Sequence, residues 1–196
     1  MIIKNKDLLF GLFGYTIINE LLEKYQTKKL AMNSTAAIHA STTSLIWLIT
    51  SITGSSYMAP LIKLNTGGYF LFDILYLIQN RKMNLLHGMY IYHHIAGLYY
   101  MSLSPKKFLW PTIIGIGELS NIPTYVVYYY LKTKPNSREL KISQNVQKYW
   151  FGFHRFISST ILTYFELKNP IKRKILLPVI PLYFFGLIWS ANMFKQ

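Results

Sequence analysis

Long apolar stretches alternate with short basic ones along the whole chain. Lys and Arg gather at Lys4/Lys6, Lys24/Lys28/Lys29, Lys63, Arg81/Lys82 and Lys106/Lys107, then between Lys132 and Lys148 and between Lys168 and Lys174. The intervening stretches are nearly free of them. A helix of roughly 20 residues crosses a hydrocarbon core of ~30 Å, and cations at its ends face water. The pattern predicts helices over Asp7–Leu22, Asn33–Thr53, Gly67–Ile78, Leu85–Leu103, Phe108–Leu131, Val146–Leu167 and Ile175–Phe194. The first and third are short, so six crossings fit as well as seven. The fold class is therefore all-α, a polytopic membrane helical bundle in one domain spanning 1–196.

Between the helices, Asn65-Thr66-Gly67-Gly68 and Lys134-Pro135-Asn136-Ser137 read as turns. The polar gap Lys132–Lys148 reads as a loop or a surface helix. Asn33-Ser34-Thr35 forms a glycosylation sequon, but it stands where the second helix starts, and Asn33 and Ser34 read as caps. Lys4 and Lys6 before Leu8–Ile18 resemble a signal peptide. No small-residue cleavage site follows in Asn19-Glu20-Leu21-Leu22, so the segment reads as an uncleaved first helix.

Composition changes this picture in two ways. Twenty-one Lys and Arg against seven Asp and Glu give a net charge of +14, which by itself would suit a nucleic-acid binder. Such a domain places its cations along one amphipathic face or around a soluble core. Here they sit at the ends of apolar segments, so no nucleic-acid partner is expected. The cations divide almost evenly between the two sides of the bundle, which leaves orientation open. The chain has no cysteine. That excludes a disulfide scaffold, a Cys-ligated zinc or iron–sulfur site and a cysteine nucleophile.

The chemistry lies in titratable residues within apolar stretches: His39, Asp73, His93, His94, Glu118, His154 and Arg155. A charge at mid-bilayer costs about 2.5–3.5 kcal/mol on insertion scales. Seven such residues on five helices point to a shared polar interior, against the simpler reading of hydrogen bonds that join helices. Helical spacing puts Thr35, His39, Thr42 and Thr43 on one face, and Tyr69, Asp73 and Tyr76 on another. His87, Tyr90, His94, Gly97 and Met101 share a face of the fourth helix, with His93 beside them and Gly97 leaving room for a ligand or another backbone. Glu118, Asn121, Tyr125 and Tyr128 form a stripe on the fifth helix, bracketed by Pro111 and Pro123, which can kink it and open backbone groups. On the sixth, Phe151, Arg155, Ser158 and Ser159 align, and Glu118 or Asp73 is the expected partner of Arg155. Adjacent histidines on a helix point ~100° apart, and no His-x-x-x-His occurs. His39, Asp73 and His94 could meet across helices, but no metal is expected.

These pieces resemble the TLC-domain membrane family, which includes the ceramide synthases. The resemblance runs over residues 33–167. Ser34 with His39-Ala40 resembles the family's early Ser…His-Ala signature. Gly68-Tyr69-Phe70-Leu71-Phe72-Asp73 is similar to the Gly-Tyr-Phe-x-x-Asp helix of the shorter TLC branch. His93-His94 matches the paired histidines, Glu118-Leu119-Ser120-Asn121-Ile122-Pro123 resembles the Glu-Leu-Ser-Thr-Pro signature, and Phe153-His154-Arg155 resembles the late aromatic–Arg segment. The resemblance implies a bundle around a central, lipid-sized cavity in the endoplasmic reticulum or another endomembrane. In the ceramide synthases it implies acyl transfer from acyl-CoA to a sphingoid amine. The sequence departs from that subgroup: the helix that would carry His-Asp-x-x-Ser-Asp offers Glu118, Ser120 and Asn121 instead.

The expected function is transfer of a fatty acyl chain from acyl-CoA, as co-substrate, to a lipid amine or hydroxyl. His93, His94 and Asp73 are the expected catalytic group, a histidine acting as base or nucleophile with the carboxylate fixing its tautomer. Asp73 or Glu118 can play that second part. His39, Glu118, Asn121, Arg155, Tyr69, Tyr76 and Gly97 are expected to bind the lipid substrate. The alternative is a non-catalytic lipid-binding protein, or a regulator of membrane lipid composition, using the same cavity.

Overall fold

The computed structural model of the chain describes residues 5–80 and 84–194. Among these, every regular element is helical. The order is α1 (Asn5–Glu23), α2 (Lys28–Thr53), α3 (Met58–Asn80), α4 (Leu85–Ser102), α5 (Trp110–Thr133) and α6 (Arg138–Gly152). A π-helical turn (Phe153–Ser158) joins α6 to α7 (Ser159–Leu167). Then come α8 (Pro170–Leu176), a 3₁₀ turn (Leu177–Val179) and α9 (Ile180–Phe194). Three segments, Lys28–Thr53, Met58–Gln79 and Pro170–Phe194, are long and apolar enough to cross a membrane.

Local chemistry sets the helix ends. Gly54, at φ 63°, closes α2 in the left-handed conformation, its N–H donating to the Thr50 carbonyl. Asn84, Ser137 and Asn169 cap α4, α6 and α8 through side-chain oxygens that accept backbone N–H groups of the first turn. Lys134–Ser137 is the expected turn. The polar gap up to Lys148 is largely helix, because α6 begins at Arg138.

Other expectations are overturned. Asn65-Thr66-Gly67-Gly68 is not a turn but the middle of α3. Its glycines serve packing: a Cβ on Gly68 would overlap the Gly11 Cα of α1, and one on Gly11 would lie 2.5 Å from the Leu64 carbonyl oxygen. Small residues let helix backbones touch where apolar surroundings supply no hydrophobic driving force. Asn65 and Thr66 find their hydrogen bonds inside the bundle. Asn33 and Ser34 are not caps either, since α2 starts at Lys28 after Thr27. Asn33 Nδ2 donates to the Tyr125 carbonyl of α5 (3.1 Å), and Ser34 Oγ to Gln26 Oε1 (2.9 Å). Thr42 is exposed, apart from its buried neighbours Thr35, His39 and Thr43.

Pro111 stands in the first turn of α5 and interrupts nothing. Pro123 is interior. It has no N–H for the carbonyl of Leu119, four residues back, and the Trp150 indole N–H of α6 donates to that carbonyl at 3.0 Å. We expect Trp150→Phe to destabilise the protein by about 1 kcal/mol. In a Pro123→Ala background, where the alanine N–H supplies the missing donor, the cost should be much smaller. A double-mutant cycle read by unfolding in detergent checks this.

Within the bundle α1 lies along α3, and α2 along both α3 and α5. α4 packs on α3, α6 on α5, and α9 on α6 and the π turn. The core is aromatic, built on Tyr15, Tyr69, Phe70, Phe72, Tyr76 and Trp110. Buried polar groups run through it, among them Thr35, His39, Thr43, Thr66, Asp73 and Glu118. Large apolar side chains such as Phe10, Ile52, Ile78 and Phe165 face outward. Polar groups inside and apolar groups outside are consistent with hydrocarbon surroundings.

Candidate functional site

Four helices bring two histidine–carboxylate pairs together. Asp73 of α3 and His94 of α4 meet at 3.1 Å, Oδ2 to Nδ1. His39 of α2 and Glu118 of α5 meet at 3.4 Å, Nε2 to Oε1. Neither contact is an aligned hydrogen bond. All four side chains are buried, His39 completely.

Aromatic rings hold the two imidazoles. Tyr69 stacks on His39, with centroids 4.0 Å apart and planes at 8°. Phe70, the next residue, stacks on His94 at 4.4 Å and 22°. Gly97 makes the second stack possible, because a Cβ there would lie 2.5 Å from the Phe70 ring. Phe70 fills one side of Gly97, and the glycine also borders the aliphatic cavity described below.

A polar chain runs through the site. Tyr15 Oη donates to Asn65 Oδ1 (2.6 Å), and Asn65 Nδ2 donates to Thr43 Oγ1 (2.7 Å). Thr43 meets His39 Nδ1 at 3.4 Å and Thr66 at 3.0 Å. Beyond the His39–Glu118 contact, Asn121 Nδ2 donates to Glu118 Oε2 (3.3 Å), and Arg155 Nη2 donates to Asn121 Oδ1 (3.0 Å). Arg155 also lies over the Phe151 ring at 4.9 Å. The expected ion pair of Arg155 with Glu118 or Asp73 does not form. Both carboxylates are engaged by histidines, and Asn121 stands between Arg155 and Glu118. Within the π turn Ser158, four residues on, meets His154 Nδ1 at 3.3 Å.

Three cavities open around these groups, and His93 and Asn121 line all of them. The polar cavity, about 290 Å³, is walled by Tyr69, Asp73, His94, Glu118, Tyr125 and Tyr128 among others. The aliphatic cavity, about 140 Å³, runs from Glu118 and Arg155 to Leu167, Leu176 and Ile180. The aromatic cavity, about 230 Å³, lies between α4 and α9, with Arg155, Phe185 and Trp189 on its walls. His93 and Arg155 are half-buried on these walls. Tyr76 is not on them; it packs beside Phe72 in the aromatic core. Among the described residues no three His, Asp or Glu side chains gather as a metal site. His39 and His94 each face a different carboxylate.

Sequence reasoning misses Glu166. It is 2% exposed, accepts a hydrogen bond from the Leu109 N–H, faces Lys172 Nζ at 3.4 Å and lines the aliphatic cavity. Its place beside the helix end at Leu167 resembles an ordinary flank, although an acid after Ile161-Leu162-Thr163-Tyr164-Phe165 is a signal. Tyr15 and Asn65 escape it too. Tyr15 is one of 16 tyrosines, with nothing in its local sequence to single it out, and Asn65 reads as part of a turn.

Comparison of the chain with protein-family models, with curated proteins and with solved structures gives no match.

Proposed function

We propose that this is a multi-pass membrane protein, TLC-like in type, with six or seven crossings around a lipid-sized chamber, resident in the endoplasmic reticulum or another endomembrane. It transfers a fatty acyl chain from acyl-CoA to a lipid amine or hydroxyl. The observation that carries this reading is the Asp73–His94 pair on the wall of the polar cavity. A buried histidine–carboxylate pair is costly among apolar helices and unnecessary for enclosing a hydrocarbon chain.

In this reading Asp73, facing Nδ1, holds the proton there and leaves His94 Nε2 basic. Nε2 takes the proton of the acceptor amine or hydroxyl while the acceptor attacks the thioester carbonyl carbon. The carbon–sulfur bond breaks, and the CoA thiolate recovers the proton from the imidazolium, which Asp73 stabilises meanwhile. His93, open to all three cavities, is the candidate for a covalent route, attacking the same carbon and releasing CoA before the acceptor arrives. Tyr69 and the Glu118–Asn121 pair supply polar contacts to the lipid substrate. The basic segments at the helix ends suit the CoA phosphates or anionic headgroups.

The test is to add long-chain acyl-CoA to the purified protein, with and without a sphingoid amine or a long-chain alcohol, and to follow free CoA and intact mass. We expect CoA release that is lost in His94→Ala. A mass gain of one acyl group, lost in His93→Ala, would identify the covalent route. No CoA release, together with a lipid that extracts intact from the protein, would overturn acyl transfer in favour of a lipid carrier.

A further inference from the structure

Among the described residues Arg155, a cation set within the helices beside the site, makes no ion pair with an acid. No carboxylate oxygen of theirs comes within 4.0 Å of its guanidinium, while the neighbouring acids pair with His39, His94 and Lys172. Its Nη2 donates to a neutral amide oxygen, that of Asn121. Its Nε is buried without a partner. Burying part of a guanidinium with no acid in contact is unfavourable, since Glu118 acts on it only from beyond Asn121, and its planar donor fork matches a carboxylate or phosphate.

The surroundings specify what is attached to that anion. Arg155 stands where the aliphatic and aromatic cavities adjoin and lines both. Away from it the walls are largely hydrocarbon, with Leu176, Val179 and Ile180 on one side and Leu86, Phe185 and Met193 on the other, and with Thr163 and Glu166 among the polar exceptions. Gly186 of α9 lies against the arginine stem, where a Cβ would sit 3.1 Å from its Cδ, so α9 approaches the guanidinium closely. The π turn that carries Arg155 is the kind of helix irregularity that recurs at functional sites.

We infer that Arg155 is the receptor for the oxyanion head of a long-chain lipid, a carboxylate or a phosphate, whose chain lies in the apolar cavities between α4, α8 and α9. This rests on reading the cavities as a lipid site, and it adds the charge of the head that the site selects. It does not depend on catalysis.

The test is equilibrium binding to the full chain in nanodiscs of neutral phospholipid, at mildly alkaline pH. The probes are oleate, oleyl phosphate and oleyl alcohol, with inorganic phosphate alone as the chainless arm. We expect one or both oleyl anions to bind roughly 10-fold or more tighter than the alcohol, as charge-assisted hydrogen bonds imply. Whichever of oleate and oleyl phosphate binds tighter identifies the head. Inorganic phosphate should bind far more weakly, because it lacks the chain. In Arg155→Gln the anion preference should vanish while the alcohol still binds. Arg155→Lys, which keeps a point charge without the fork, should retain a smaller preference and guards against a folding defect in the Gln variant. Equal binding of anion and alcohol by the wild type, or a preference that survives in Arg155→Gln, would overturn the inference and leave the lipid site standing. If no oleyl compound binds at all, the lipid-site reading fails along with it.

Discussion

Asp73→Asn will lower the rate of the proposed acyl transfer by roughly 10²-fold or more, with the apparent KM for acyl-CoA changed by less than about 3-fold. Asn has nearly the shape of Asp, so the contact 3.1 Å from His94 Nδ1 can be kept. What it lacks is the negative charge. In the proposed reaction His94 becomes an imidazolium when it takes the acceptor proton, and a carboxylate stabilises that cation where an amide does not. An amide can also present its NH₂ to Nδ1, which would put the ring proton on Nε2 and remove the base. The expected signature is a fall in kcat with unchanged lipid retention and near-unchanged thermal unfolding. Steady-state release of CoA, measured beside bound-lipid content, checks it. A variant with full activity would remove the pair from the mechanism. A variant that loses its lipid as well as its activity would make Asp73 a binding or structural residue instead.

The second large effect is on the fold. Gly68→Ala will destabilise the bundle by about 1–3 kcal/mol, the usual cost of inserting a methyl group into a packed contact. The new Cβ would overlap Gly11 Cα and lie 2.6 Å from Gly11 C, both backbone atoms that cannot rotate away. α1 must then move off α3. That movement also stretches the Tyr15–Asn65 hydrogen bond, the first link of the chain that reaches His39. Gly14→Ala, on the same helix as Gly11, is the control, because its added Cβ meets nothing within 4 Å. Thermal unfolding of both variants in one detergent checks the difference; equal midpoints would show that α1 and α3 do not touch through Gly11 and Gly68.

Much of the architecture is legible from one-dimensional pattern. The apolar stretches and the cations between them locate α4 and α5 to within a few residues, because a helix in hydrocarbon must satisfy its own backbone and can use few charges. Likewise, His39, Asp73, His93, His94, Glu118 and Arg155 stand out because a titratable group in such a stretch is costly wherever it ends up. The glycines of α3 mislead for a physical reason. Gly67-Gly68 after Asn65-Thr66 has the composition of a turn, and only the approach of α1 gives those residues another use. Pro123 similarly marks a freed carbonyl without saying which donor reaches it.

The sequence by itself determined that the chain is helical, that its helices are oily on the outside, and which few side chains carry charge within them. Local periodicity and transfer energies act within one helix, and these features need nothing more. Which histidine faces which carboxylate was decided only by tertiary structure: His94 with Asp73, His39 with Glu118, and Arg155 with the amide of Asn121 and no acid. Those pairings depend on how rods 26, 23, 18 and 24 residues long cross and rotate against one another. The crossings are set by glycines, by Trp47 against Gly115 and by aromatic stacking between helices. A helical wheel gives the direction of a side chain around its own axis, but the partner it meets lies on another axis.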